Sequence, residues 1–175
     1  MSFRVLSPLR KGWCGVEALN RIAEEIMAER NPSILTRRIY PLKPLLITSN
    51  DYNLKLYNGD LGIVFPDEQK KLRAYFESDT GASDSHRSFF TGRLPEYEPA
   101  FAMTVHKSQG SEFEDVLLIL PPEESPVLTR ELLYTAVTRA RKRVEIWGSE
   151  EIIRKAARNK TERISGIEKH LKADR

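Results

Sequence analysis

The sequence predicts an α/β fold: a mostly parallel sheet with helices on its faces, interrupted by a small all-β insert. Three observations carry that prediction. Apolar strands alternate with segments of helical spacing in both the first and the last third of the chain. Val116-Leu117-Leu118-Ile119-Leu120 is a continuous apolar run, as suits a strand covered on both faces. Between about residues 50 and 97 the pattern shifts to short strands joined by tight turns, which suits a little barrel.

The elements follow in order. Phe3 to Leu6 reads as a strand closed by Ser7-Pro8, and a Gly-bearing loop, Lys11-Gly12-Trp13-Cys14-Gly15, follows it. Val16, Leu19, Ile22, Ala23, Ile26 and Met27 recur at helical spacing, and Asn31-Pro32 should end that helix. Leu45 to Thr48 is an apolar strand. Asn58-Gly59-Asp60 is a turn before the strand Leu61 to Phe65, and Pro66 to Gln69 is a second turn. Lys71 to Glu77 alternates like a half-buried strand, whereas Ser78 to Ser88 is polar and reads as a loop. Beyond Pro99, strands are expected over Ala100 to Val105, Asp115 to Leu120 and Val144 to Trp147. Thr129 suits the N-cap of a helix from Arg130 to Ala140, with Leu132, Leu133, Ala136, Val137 and Ala140 as its buried stripe. A last helix spans about Glu150 to Arg158.

Composition narrows the function classes. The 175 residues are 40% apolar and 30% charged, enough for a real core and against global disorder. No apolar run approaches the roughly 18 to 20 residues that span a bilayer, so no membrane partner is expected. Arg4, Arg10 and Lys11 interrupt any leader-like stretch, which points to a cytoplasmic protein. Cys14 is the only cysteine, and His86, His106 and His170 lack metal-ligand spacing, so no metal site of its own is expected. The net charge is only +3. Its distribution says more: five basic residues (Arg130, Arg139, Arg141, Lys142, Arg143) face one acid, Glu131, between 130 and 143, and the stretch from Arg154 to Arg175 is also mostly basic.

Two segments stand out chemically. In Thr104-Val105-His106-Lys107-Ser108-Gln109-Gly110-Ser111-Glu112-Phe113 a strand ends in hydrogen-bonding side chains and a glycine before the next strand begins. Strand ends of α/β sheets are where ligands bind, and this donor set suits phosphates, although an ordinary polar loop could carry the same residues. In Tyr134-Thr135-Ala136-Val137-Thr138-Arg139-Ala140, Thr135 and Arg139 share a helix face. An arginine held rigidly there can meet phosphate oxygens bidentately, as lysine cannot. A surface arginine favoured by the helix dipole would look the same in isolation.

Together the two segments resemble motifs V and VI of superfamily 1 helicases, in the right order. Leu6-Ser7-Pro8-Leu9-Arg10-Lys11-Gly12, with Gly15-Val16 and Leu19-Asn20, resembles the motif IV region of RecD-like helicases, the exodeoxyribonuclease V alpha subunit family. Asn50-Asp51-Tyr52 and Tyr57-Asn58-Gly59-Asp60-Leu61-Gly62 resemble their SH3-like subdomain. The resemblance implies a RecA-like domain 2A over 1–49 and 98–160, an inserted SH3-like β-barrel, 2B, over 50–97, and a basic tail over 161–175. It implies Arg139 as an arginine finger on the ATP γ-phosphate and Arg10 as a second γ-phosphate contact. Gly110 and Glu112 would lie near the nucleotide sugar, and Thr104, His106 and Lys107 near single-stranded DNA.

The cofactors implied are ATP and Mg2+. The partners implied are single-stranded DNA, an N-terminal RecA-like domain of the same protein, and RecB/RecC-like subunits. None of the nine glycines begins the phosphate-loop pattern G-x-x-x-x-G-K-S/T, so the chain is expected to be a motor portion inactive as an ATPase alone, with the nucleotide cradle N-terminal to Met1. Asp67-Glu68-Gln69 is rejected as a Mg2+-binding pair because Pro66 breaks the run in a hairpin context. The alternatives are part of a conjugative relaxase-type helicase and a non-enzymatic module that binds single-stranded DNA. A nuclease lacks a clustered Asp/Glu/Lys set.

Overall fold

The computed structural model describes residues 3–77 and 86–160. The basic tail over 161–175, and residues 78–85 of the expected polar loop, lie outside the described residues. The elements are β1 (Phe3–Ser7), α1 (Val16–Ala28), β2 (Pro44–Ile47), β3 (Leu61–Pro66), β4 (Leu72–Glu77), β5 (His86–Phe90), β6 (Tyr97–Pro99), β7 (Ala102–Thr104), β8 (Phe113–Ile119), α2 (Arg130–Val137), β9 (Ala140–Trp147) and α3 (Glu150–Arg158). They form two sheets. One is parallel throughout, in the order β7-β1-β8-β9. The other is antiparallel throughout, in the order β5-β4-β3-β2-β6. The expected α/β architecture with a β insert is therefore present. The antiparallel sheet is open, with β5 and β6 as its edges among the described residues, so the expected closed barrel is not formed there.

The antiparallel sheet reaches beyond 50–97 on both sides, because it includes β2 and β6. The order of elements in the sequence puts the apolar strand Leu45 to Thr48 in the parallel sheet; in the structure β2 pairs elsewhere, and all four of its residues are buried. The structure gives the burial a different cause. Leu46 faces the core of the parallel sheet, with Leu6, Val116 and Leu118. Leu45 and Ile47 face the other core, with Val64, Ala74 and Phe76. A strand at the seam of two cores is covered on both faces, so it reads like a central parallel strand.

Other boundaries moved too: β7 is shorter than Ala100 to Val105, and β8 starts at Phe113 and not at Asp115. α2 ends at Val137 and not at Ala140, and Val137 is 43% exposed, outside the expected buried stripe. Ala140 instead opens β9 by pairing with Phe113. β9 starts four residues before the expected Val144, because Arg141–Glu112, Lys142–Glu114 and Arg143–Asp115 pairs tie it to β8 and its neighbouring link. Cross-strand charge leaves no apolar periodicity to read. His86 to Ser88, expected as loop, belong to the edge strand β5. α1 stops at Ala28, and Ile22 and Ile26 of its expected stripe are exposed.

Local chemistry explains the helices that hold the site. The Thr129 hydroxyl accepts from Leu132 N and caps α2, while Ser149 does the same for α3 through Ile152 N. α2 buries Leu132 and Ala136 in the parallel-sheet core, where α3 adds Ile152 and Ala156. On the other side of the chain, Asn20 of α1 acts on the edge strand β7. Its Nδ2 donates to Ala102 O at 3.0 Å and its Oδ1 accepts from Ala102 N at 2.9 Å. One buried amide thus satisfies both backbone groups of an unpaired edge position. Arg4 is buried near the start of β1; its Nη1 donates to Ala100 O, and burial pushes its guanidinium down to about 10.

Candidate functional site

The parallel sheet separates the expected site residues onto its two edges. At the C-terminal edge, β7 ends at Thr104 and one turn of 3₁₀ helix, His106–Ser108, follows. Thr104 Oγ1 accepts from Lys107 N at 3.2 Å, and buried Ser108 donates its hydroxyl to Val105 O at 2.7 Å, so the turn is fixed from within. Val105 N donates to Ser7 O, which ties the turn to β1. His106 is exposed and Lys107 half-buried. The loop after β1 is held equally firmly. Ser7 Oγ donates to Cys14 O and accepts from Leu9 N, while Val16 N and Glu17 N donate to Leu9 O and Arg10 O. Cys14 is buried, and that burial pushes its thiol up.

Arg10 and Lys107 converge here on one carboxylate that sequence reasoning did not single out. Lys107 Nζ lies 2.7 Å from Glu98 Oε1 and Arg10 Nη2 lies 3.4 Å from Glu98 Oε2. Arg10 also pairs with Glu17 at 3.1 Å. Glu98 belongs to β6, so the contact bridges the two sheets. An open cleft of about 590 Å³ lies between them, lined by Arg10, Arg38, Asn58, Tyr97, Glu98 and Lys107. A lone acid between Tyr97 and Pro99 belongs to no motif, so only the fold could reveal it.

At the N-terminal edge stand Gly110, Glu112 and Arg139. Gly110 adopts φ +88°, a left-handed conformation that favours glycine, and turns the chain toward β8. Arg139 occupies the short link between α2 and β9. Its Nε donates to Thr135 O at 3.2 Å, its Nη1 to Ser111 O at 3.1 Å and its Nη2 to Thr138 Oγ1 at 3.3 Å. Its own carbonyl accepts from Phe113 N at 2.8 Å. Four of the five basic residues between 130 and 143 pair with carboxylates: Arg130 with Glu131, Arg141 with Glu112, Lys142 with Glu114 and Arg143 with Asp115. Among the described residues Arg139 pairs with no carboxylate; neutral oxygens hold it, and its charge is not cancelled. A second open cleft, about 990 Å³, is lined by Gly110, Glu112, Arg141, Gly59 and Arg87; Arg139 does not line it.

The structure brings Gly110, Glu112 and Arg139 together, and separately Thr104, His106, Lys107 and Arg10. It does not bring Arg10 to Arg139. Leu6 lies level with Leu118, whereas Arg139 precedes the Ala140–Phe113 pair. Five strand residues, roughly 16 Å, separate those levels, and Arg10 lies farther out still. Among the described residues no group of three or more His, Cys, Asp or Glu could hold a metal ion, and no helix is long and apolar enough to cross a membrane.

The sequence and the fold both have known relatives. The UvrD-like helicase C-terminal domain family matches residues 99–146, which contain most of both edges. The RecBCD enzyme subunit RecD of Mycolicibacterium smegmatis is 42% identical over 171 residues, covering 97% of this chain and 29% of that protein. The RecD subunit of Haemophilus influenzae is 41% identical over 174 residues, covering 97% and 25%. The ATP-dependent RecD2 DNA helicase of Deinococcus radiodurans is 36% identical over 152 residues, covering 83% and 20%. Among solved structures, the Pif1 helicase from Candida albicans superposes with a TM-score of 0.55 at 14% identity, over 95% of this chain and 50% of that one, a likeness of fold alone. The chain spans under a third of the length of the RecD relatives, and over 97% of its own length its sequence is similar to RecD-type helicase subunits.

Proposed function

We propose that this chain supplies the second motor domain of an ATP-dependent DNA helicase of RecD type, with Arg139 as the arginine finger of an ATP site completed by another domain. In this reading residues 1–49 and 98–160 serve as domain 2A, and the segment over 50–97 as the SH3-like 2B subdomain. The observation that carries it is the state of Arg139: among the described residues a cation without a carboxylate, fixed by three oxygens at the end of a capped helix. Transfer of the γ-phosphoryl group concentrates negative charge on its oxygens, and a positioned guanidinium stabilises that charge by about 10³ to 10⁵ in rate. Neutral oxygens give up a guanidinium to phosphate more readily than a carboxylate would.

ATP and Mg2+ would then be held mainly by a phosphate-loop domain, which makes the chain inactive as an ATPase alone. Gly110 and Glu112 stand beside Arg139 and are assigned to the nucleotide side. Lys107, His106 and Thr104 are assigned to single-stranded DNA. Arg10, expected as a second γ-phosphate contact, stands on the edge of Lys107 and shares a carboxylate with it. Partnership with RecB/RecC-like subunits belongs to the same reading. The test is Arg139→Ala in the protein that joins this chain to a phosphate-loop domain. DNA-stimulated ATP turnover should fall about 10³-fold or more while ATP binding stays measurable; unchanged turnover refutes the finger.

A further inference from the structure

Glu98 has no place in the motifs, yet it holds both cations of the C-terminal edge. Its two oxygens are divided, one to Lys107 and one to Arg10, and its side chain is only 23% exposed. Lys107 is 28% exposed. The cleft around them also holds Arg38, whose guanidinium lies 5.1 Å from the Tyr97 ring centre, and a second acid, Glu96. A carboxylate with two oxygens on two cations occupies the position that a phosphodiester with two free oxygens would occupy. We propose that Glu98 is a built-in stand-in for a nucleic-acid phosphate, which occupies Lys107 until a strand displaces it.

The charges balance on exchange. Before binding, Glu98 serves Arg10 and Lys107, and Glu17 also serves Arg10. After binding, Lys107 turns to the phosphate while Glu98 keeps Arg10, so no carboxylate is left without a cation. The exchange also cuts a tie between the sheets, because Glu98 belongs to β6 and Lys107 follows β7. Only residues 100 and 101 separate those strands, so Glu98 stays close to Lys107 and returns to it when the strand leaves. The cost of displacing Glu98 lowers affinity for every phosphate at this position and favours release, as a motor that must let go of its track requires.

The inference rests on the reading of Lys107 as a strand contact, and one experiment separates the two. Binding of an oligo(dT) of about 15 nucleotides to the full chain is followed by fluorescence anisotropy at low salt, for the wild type, Glu98→Gln, Lys107→Ala and the double variant. Glu98→Gln keeps the shape and removes the charge. It should tighten binding about three- to tenfold and steepen the salt dependence, as one more cation becomes free to meet phosphate. The gain should vanish in the Lys107→Ala background. Glu98→Ala, a second route to the same loss of charge, should move affinity in the same direction. If Lys107→Ala weakens binding but neither Glu98 variant tightens it, the stand-in is wrong and the strand contact survives. If Lys107→Ala changes nothing, or no form binds, the strand contact fails and the stand-in with it.

Discussion

The two edges of the parallel sheet treat their cations in opposite ways. At the C-terminal edge Arg10 and Lys107 are paired with carboxylates across a cleft between sheets. At the N-terminal edge Arg139 is followed by Arg141, Lys142 and Arg143, each with an acid of its own, and among the described residues it is held only by carbonyl and hydroxyl oxygens. A paired cation must be released before it binds phosphate, which suits a contact that forms and breaks at every step along a strand. An uncancelled cation in a fixed position is ready before its ligand arrives, which suits stabilising a brief transition state. The difference lies in the acids around each cation more than in the cation itself.

The sharpest way to break the comparison is to change Arg139 while keeping its charge. Arg139→Lys retains the cation and removes the planar fork with its three anchors. Turnover in the protein with both motor domains should fall at least about a hundredfold, measured as phosphate release at saturating ATP and DNA. A fall of only a few-fold would mean that charge alone matters at this edge. The next effect belongs to the other edge. Asn20→Ala leaves the N–H and C=O of Ala102 buried without their partner and should destabilise the fold by about 2 to 4 kcal/mol, read from urea unfolding. Because β7 leads directly into His106 and Lys107, strand binding should suffer more than any nucleotide-side property. Thr129→Ala removes the cap of α2 and should cost about 1 kcal/mol in the same unfolding experiment.

The smallest effect is electrostatic. The hydrogen bond and charge of Lys142 hold the Glu114 carboxyl below its ordinary range, and Lys155 does the same to Glu151. A carboxyl depressed in the folded state contributes stability that is present above its ordinary value and is lost as pH falls through the depressed one. Thermal melting should therefore decline on acidification below pH about 4. Lys142→Ala should flatten that decline, because it removes the group that depresses Glu114, and only slightly, because both residues are exposed and the pair is screened by salt.

Sequence reading succeeded where one physical signal dominated. The apolar run at Val116 to Leu120 lies in or beside β8, and the cap at Thr129 and the helix Glu150 to Arg158 are where spacing and capping put them. It failed where two signals share a pattern. β2 is buried on both faces because it stands at a seam, and the same apolar run describes a central parallel strand. β9 was shortened because charge pairs, and not apolar alternation, hold its first half. Among the candidate site residues, Arg10, Lys107 and Arg139 can be singled out from the sequence. Their partners cannot, because Glu98 meets Lys107 through the packing of two sheets.

The most direct test of this division of labour measures Arg139→Ala and Lys107→Ala side by side in the protein that joins this chain to a phosphate-loop domain. Turnover at saturating DNA and affinity for single-stranded DNA are recorded for both. The account predicts that Arg139→Ala loses turnover by about 10³-fold or more with strand affinity nearly unchanged, and that Lys107→Ala weakens strand affinity by about 1 kcal/mol or more while turnover at saturation survives. Equal loss of both properties in both variants would contradict it, because the two edges would then be one site.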